Sequence, residues 1–306
     1  MASEPSTPTP SAAPPTGWES IFLGGDGLRA GWRLAIFLLI FFPLVTLAFL
    51  AATLVGLPLP ISRSVVTPAT VLTQEICSLF ATIVASIVMS RIERRPFDSY
   101  GLAVRSAFGG QFWRGAVWGL VMMTVVILLI AGAGGFSFGG IALHGEKLLW
   151  ETLAWATGFC TVGLWEEFFF RGYTLATLAE GIGFWPAASV LSAVFGAVHL
   201  TNGGEGWVGV PEIFLISMLF CLTLRRTGSL WFAVGLHAAW DFGQTFLFSA
   251  PDSGTVAPGT LLHSTFHGPA WLTGGAVGPE GSVTGVLVVV LAMLLFARVY
   301  PARSEQ

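Results

Sequence analysis

The chain alternates between long apolar runs and short stretches where Arg, Gly and Pro gather. The runs lie near residues 34–57, 68–90, 113–134, 149–170, 184–200, 210–224, 229–249 and 283–297. A helix rises 1.5 Å per residue, so about 20 apolar residues cross the roughly 30 Å hydrocarbon core of a bilayer. The pattern therefore predicts eight transmembrane helices. The first, third and last runs are uninterrupted, whereas the run ending near Arg171 and the shorter ones after it are broken by ionisable residues, Gly and Pro. Charge inside a bilayer is costly, so the broken spans are where chemistry is expected.

The segments between the runs organise the chain. Residues 1–28 are rich in Pro, Ser, Thr and Ala at their start and are expected to be a disordered N-terminal tail, without the basic and apolar regions of a signal peptide. Residues 29–300 form one transmembrane domain, residues 249–282 within it are a Gly- and Pro-rich external loop with a re-entrant part around PAWLTGG, and 301–306 are a C-terminal tail. With both termini cytoplasmic, Arg29, Arg33, Arg91, Arg94, Arg95, Arg105, Arg114, Arg225, Arg226, Arg298 and Arg303 all fall inside. Only Arg63 and Lys147 fall outside, and Arg171 lies at a helix end, which is the bias that sets orientation. No internal repeat is found, so an inverted-repeat transporter gains no support.

Composition agrees with a membrane protein. Of 306 residues 54% are apolar and only 10% charged, against about 25% charged in an average soluble domain. The net charge of −3 and the scattered basic residues exclude a nucleic-acid binder. Cys77, Cys160 and Cys221 sit inside apolar segments without paired spacing and read as small buried hydrophobes, not disulfides or thiolate ligands. One lysine against many arginines, with abundant Gly and Ala, fits a bacterium with a GC-rich genome.

Three short patterns carry ionisable groups into the apolar helices, all between residues 150 and 248. In LWEEFFFRG, Glu167 and Arg171 share a helix face and can pair, while Glu166 points about 100° away and stays free. FGAVH puts Phe195 and His199 on one face, and HAAWD puts His237 and Asp241 one turn apart. Each pattern alone has a structural explanation, as an ion pair or a hydrogen-bonded core residue. Together, Glu166, His199, His237 and Asp241 on three helices make an expensive polar core unless they act as one unit. Glu75, beside Gln74 in the second span, either pairs with a neighbouring helix or lines the same cavity, whereas Glu151 and Glu212 sit near span ends and reach water. His263 and His267 have i,i+4 spacing in a loop without a third ligand and read as surface residues. GS at Gly228 and Ser229 reads as a helix start. A carboxylate and an imidazole converging on one water is the chemistry of general-base hydrolysis, with a second donor pair for the oxyanion. Neither a G-x-S-x-G nor an H-E-x-x-H signature is present.

In order and spacing, E-E-x-x-x-R (Glu166, Glu167, Arg171), F-x-x-x-H (Phe195, His199) and H-x-x-x-N/D (His237, Asp241) resemble the CPBP family, which joins CAAX prenyl proteases to Abi-type bacterial proteins once grouped with bacteriocin immunity. RRTGSLWFAVGLHAAWDF resembles its third motif region, and RRPFDSYGL is similar to a common family element. The resemblance implies an all-α bundle of about eight transmembrane helices with a polar intramembrane catalytic cavity, and makes 29–300 a CPBP-type transmembrane protease domain. It implies a glutamate-type intramembrane endopeptidase acting on a membrane-anchored peptide, prenylated or not, in a bacterial inner membrane. Carried over by position, Glu166 is the general base, His199 its partner, Glu167 and Arg171 shape the site, and His237 with Asp241 serves the oxyanion. Asp241 can donate there only when protonated; otherwise it orients His237. No cofactor is expected; a zinc-dependent version, with Glu166, His199 and His237 as ligands, ranks second. A proton-coupled transporter and a non-catalytic immunity-type protein are the competing classes. Straight helices with the ends given above place Glu166 near one face of the membrane and His199 near the other, so a shared site requires at least one helix to be tilted, shifted or broken.

Overall fold

Apolar periodicity and capping chemistry set the helices. The computed structural model describes residues 17–25, 27–60, 65–201 and 209–302; the expectations for residues 1–16, Arg63, Arg303 and the rest of the C-terminal tail lie outside them. Short α1 (Glu19–Phe22) leads through a two-residue hairpin, Leu23–Gly24 paired with Gly27–Leu28, into α2 (Ala30–Leu54). The described part of the stretch expected to be a tail is thus folded. Trp32 Nε1 donates to Ile21 O (3.0 Å) and Arg29 Nε to Ser20 O (2.7 Å), which ties it to the start of α2. Helix α3 (Pro68–Glu93) opens on a capping box: Thr67 Oγ1 accepts from Thr70 N (3.3 Å) and Thr70 Oγ1 from Thr67 N (2.9 Å), with Pro68 in the first turn.

Helix α4 (Gly110–Gly132) is followed by α5 (Gly145–Glu167), after which the chain kinks at Gly172. It passes through a π turn, Phe168–Tyr173, into α6 (Thr174–Ile182), and only Gly183 turns the chain into α7 (Phe184–His199). Helix α8 (Val210–Thr227) stops at Gly228, which takes φ 70°, and Ser229 caps α9 (Leu230–Asp241), its Oγ accepting from Trp231 N. Helix α9 also runs on into a π turn, Phe242–Leu247. After the short α10 (Ala270–Thr273), α11 (Val283–Val299) completes the bundle. All eight apolar runs are helical. Helices α2, α3 and α4 are long and apolar enough to span by themselves, and Leu39, Phe42, Leu47, Leu291 and Leu294 point outward as lipid-facing side chains do.

Helix α9 is the central post. Every residue of it but Ala239 is buried, because glycines let its neighbours approach to backbone contact. A Cβ on Gly115 or Gly119 of α4 would lie 2.0 and 2.1 Å from Phe232 O and Leu236 O, and one on Gly235 would lie 2.0 Å from Phe112 O. Gly163 brings α5 close from the other side, where a Cβ would lie 2.9 Å from Val234 O. Met123, Ile127, Leu219, Phe220, Trp240 and Val289 fill the space among α4, α8, α9 and α11.

The RRPFDSYGL element packs where two motif helices can be held at once. Phe97 meets Phe168 and Tyr100 meets Tyr173, ring centroids 5.3 and 5.1 Å apart. Gly101 O accepts from Leu230 N (3.0 Å), and Ala103 O accepts from Trp231 Nε1 (2.9 Å). At the same end, Arg33 bonds Glu93 (3.1 Å) and Glu180 (2.5 Å), Arg95 bonds Glu180, and Tyr173 donates to Glu93 (2.5 Å).

Candidate active site

The extension of α5 settles how the first two motifs meet. Glu166 lies 17 residues before Gly183 and His199 16 residues after it, and the kinked α5–α6 segment with the returning α7 brings both to one cavity. The span expected to end near residue 170 does break there, at the Gly172 kink, and a second helix, α6, carries the chain on to Ile182. Arg171, Gly172 and Glu180 interrupt the apolar run, yet each charge finds a partner and a second helix follows the kink. In the π turn Gly172 departs from helical geometry (φ −83°, ψ −110°). Thr174 Oγ1 donates to Phe169 O (2.5 Å) and Phe170 O (2.8 Å), which satisfies carbonyls that the widened turn frees.

Both π turns begin directly after a motif carboxylate, Glu167 or Asp241. Such turns add a residue to the helical repeat and re-aim the face that follows. Glu167 is fully buried, and its Oε1 accepts from Arg171 Nη1 at 3.0 Å and from His237 Nδ1 at 2.9 Å. Arg171 Nη2 donates to Ser217 Oγ (2.5 Å), which donates on to Ser192 Oγ (2.7 Å), while the guanidinium lies over Phe195 (4.4 Å) and Phe220 (5.1 Å). Phe220 also stacks on His237, centroids 4.9 Å apart. This chain fixes the imidazole: Nδ1 donates to Glu167, and Nε2 is turned toward Glu166 Oε2 (3.7 Å) and Asp241 Oδ2 (3.5 Å). The residue that orients His237 at hydrogen-bond distance is thus Glu167.

Glu166, His199, His237 and Asp241 all line one cavity of about 330 Å³. His199 is held by Nδ1 against Phe195 O (2.8 Å), under the Phe195 ring at 4.4 Å. Glu75 and Gln74 line the same cavity. Glu167 and Arg171 do not line it; they stand behind His237.

Residues 147–243 match the Rce1-like family model, described as type II CAAX prenyl endopeptidase Rce1-like. The matched segment runs from the start of α5 into the π turn after α9 and encloses all three motifs. It supports a CAAX-type intramembrane endopeptidase, and hence a hydrolase of an integral membrane protein class, in general terms. No curated protein matches the chain.

Two wall carboxylates, Asp252 and Glu280, lie outside that segment and were not singled out from the sequence. The 249–282 loop folds back on the bundle and lines the cavity with Asp252, Ser253, Thr255 and Glu280. Asp252 accepts from Thr245 Oγ1 (2.7 Å), and Glu280 Oε1 accepts from Ser253 N (2.6 Å) and Ser253 Oγ (3.0 Å). Burial, reinforced by the Asp241 and Glu280 charges, pushes the Asp252 carboxyl well above the usual range, and burial raises Glu280 against its bonds from Ser253. A Gly- and Pro-rich composition carries no signal for this; only a carboxylate flanked by apolar residues, as in AVGPEGSV, hinted at burial. Glu212, expected to reach water, is buried in the first turn of α8, where the helix N-terminus favours an acidic side chain. His263 and His267 are exposed as expected. Among the described residues no three His, Cys, Asp or Glu side chains are arranged to hold a metal ion.

Proposed function

We propose that the chain is a glutamate-type intramembrane endopeptidase that hydrolyses a peptide bond of a membrane-anchored substrate. The observation that carries the reading is the shared cavity of Glu166, His199, His237 and Asp241, inside the segment that matches the family. Glu166 takes a proton from a water positioned with His199, and the water oxygen attacks the scissile carbonyl carbon. Negative charge develops on the carbonyl oxygen and is met by the Nε2–H of His237 in its imidazolium form, whose Nδ1–H stays on Glu167, and by Asp241 in its protonated form. Collapse of the tetrahedral intermediate breaks the C–N bond, and Glu166 returns its proton to the leaving amine. Glu167 keeps the His237 imidazole in place throughout, and Arg171 pairs with the buried Glu167 side chain. The bundle end that carries Arg33 and Arg95 faces the cytoplasm of a bacterial inner membrane, following the distribution of arginines.

The test is cleavage of an internally quenched CAAX peptide, with and without a prenyl group, by detergent-purified protein. Wild type, Glu166→Ala and His199→Ala are compared, each with and without a strong zinc chelator. Cleavage lost in both variants and indifferent to chelator supports the proposal. Cleavage lost with chelator moves the reading to a zinc enzyme with Glu166, His199 and His237 as ligands. No cleavage of either peptide by folded wild type removes the CAAX substrate from the proposal.

A further inference from the structure

The cavity wall carries a surplus of acid. Glu75, Glu166, Asp241, Asp252 and Glu280 line it with only two imidazoles, His199 and His237, and among the described lining residues there is no Lys or Arg. Arg171 does not balance them, because it is bonded to Glu167 and Ser217 and covered by the Phe195 and Phe220 rings. Even with both imidazoles protonated, three of the five carboxyl groups lack a positive partner. A buried carboxylate must be neutralised or paired.

Glu75 marks where the pairing is missing. Its side chain on α3 is only 4% exposed and lines the cavity. Oε1 accepts from Gln74 Nε2 (3.0 Å), whereas Oε2 is buried with no hydrogen-bond partner. The catalytic reading uses neither Glu75 nor the loop carboxyls Asp252 and Glu280, and all three lie outside the segment that matches the family. Beside them the wall is apolar, with Val66, Val71, Phe159 and Val162.

We propose that Glu75, Asp252 and Glu280 form a subsite for the cationic side chain of a lysine or arginine in the peptide substrate. An ammonium or guanidinium suits a wall of spread carboxylates, since it donates several charge-assisted hydrogen bonds without a fixed coordination polyhedron. A metal ion needs converging donors, and none converge here among the described residues. The long alkyl stem of a basic residue would lie along the valine and phenylalanine flank while its head reaches the acids. Burial raises both loop carboxyls, so a proton supplies the counter-charge that the substrate cation replaces. The substrate class rests on the proteolytic reading above, but the subsite itself is a binding property and can be measured without turnover.

The experiment uses fluorescent peptides with a non-hydrolysable reduced amide at the scissile position. Lysine, norleucine or glutamate is placed at each flanking position in turn, and binding to the full chain in detergent is read by anisotropy. At one position lysine is expected to bind about tenfold tighter than norleucine, with glutamate weakest. Glu75→Gln and, separately, Asp252→Asn with Glu280→Gln are expected to bring the lysine-to-norleucine ratio below about threefold. Equal affinities at every position, or a ratio that both variants leave intact, overturn the subsite. The hydrolysable versions separate this from the proteolytic reading. Cleavage without a lysine preference in binding keeps the protease and removes the subsite; a lysine preference without cleavage keeps the subsite and removes the protease.

Discussion

Two ion-pair networks in this bundle use the same side-chain types to opposite effect. At one end Arg33 and Arg95 face Glu93 and Glu180, two cations against two carboxylates, and the outer members Arg95 and Glu180 are 42% and 38% exposed at their side chains. In the interior Arg171 alone faces Glu167, and beyond it a single imidazole stands among Glu166, Glu167 and Asp241. The end network is balanced and hydrated, as a structural clamp is. The inner one is unbalanced and buried, which costs stability and leaves carboxyl oxygens with proton-accepting capacity. Imbalance, more than burial, marks the working part.

Substitutions should separate the two networks sharply. Glu166→Gln removes surplus charge and the base together, so cleavage is expected to fall by about 10²–10⁴-fold while thermal unfolding in detergent stays put or rises. An equal loss of folded protein would make Glu166 structural. Arg171→Leu leaves Glu167 buried without its cation and is expected to lose about 3–5 kcal/mol in a detergent unfolding series. Survival of that variant with wild-type stability would break the account of the inner chain. Glu167→Gln keeps the shape but weakens the hold on His237, and about 10²-fold lower kcat with little change in KM is expected. A change confined to KM would place Glu167 in binding instead. At the bundle end Arg95→Ala, at a screened and exposed pair, is expected to cost no more than about 1 kcal/mol and to leave kcat unaltered.

How much of this was legible beforehand differs from helix to helix. The apolar runs located all eight long elements, because hydrophobic length is a local property. Glu167 and Arg171 were matched from i,i+4 spacing alone, and their 3.0 Å pairing follows. The fourth run breaks near its expected end, at Gly172, but the second helix that follows to Ile182 was not foreseen, because Arg171 and Glu180 look like helix-ending charges along the chain. Their partners, Ser217 for the one and Arg33 and Arg95 for the other, are remote in sequence. Glu212 misled for a related reason: proximity to a span end said nothing of which way the first turn of α8 faces. The orienting bond from Glu167 to His237 spans 70 positions and could not be read from either motif.

Sequence by itself therefore determined the number of apolar helices, the cap at Ser229, and which charged residues share a helix face. Each of these depends on residues within a turn or two, where backbone geometry fixes distance. Only the tertiary structure decided that a second helix follows α5 across the Gly172 kink, that Glu166 and His199 share one cavity, and that Glu75, Asp252 and Glu280 line it too. Those relations depend on how closely glycine lets α4 and α5 approach α9, and on where a Gly- and Pro-rich loop folds back. Distances between helices are set by packing against partners far along the chain, and periodicity within one helix carries no record of them.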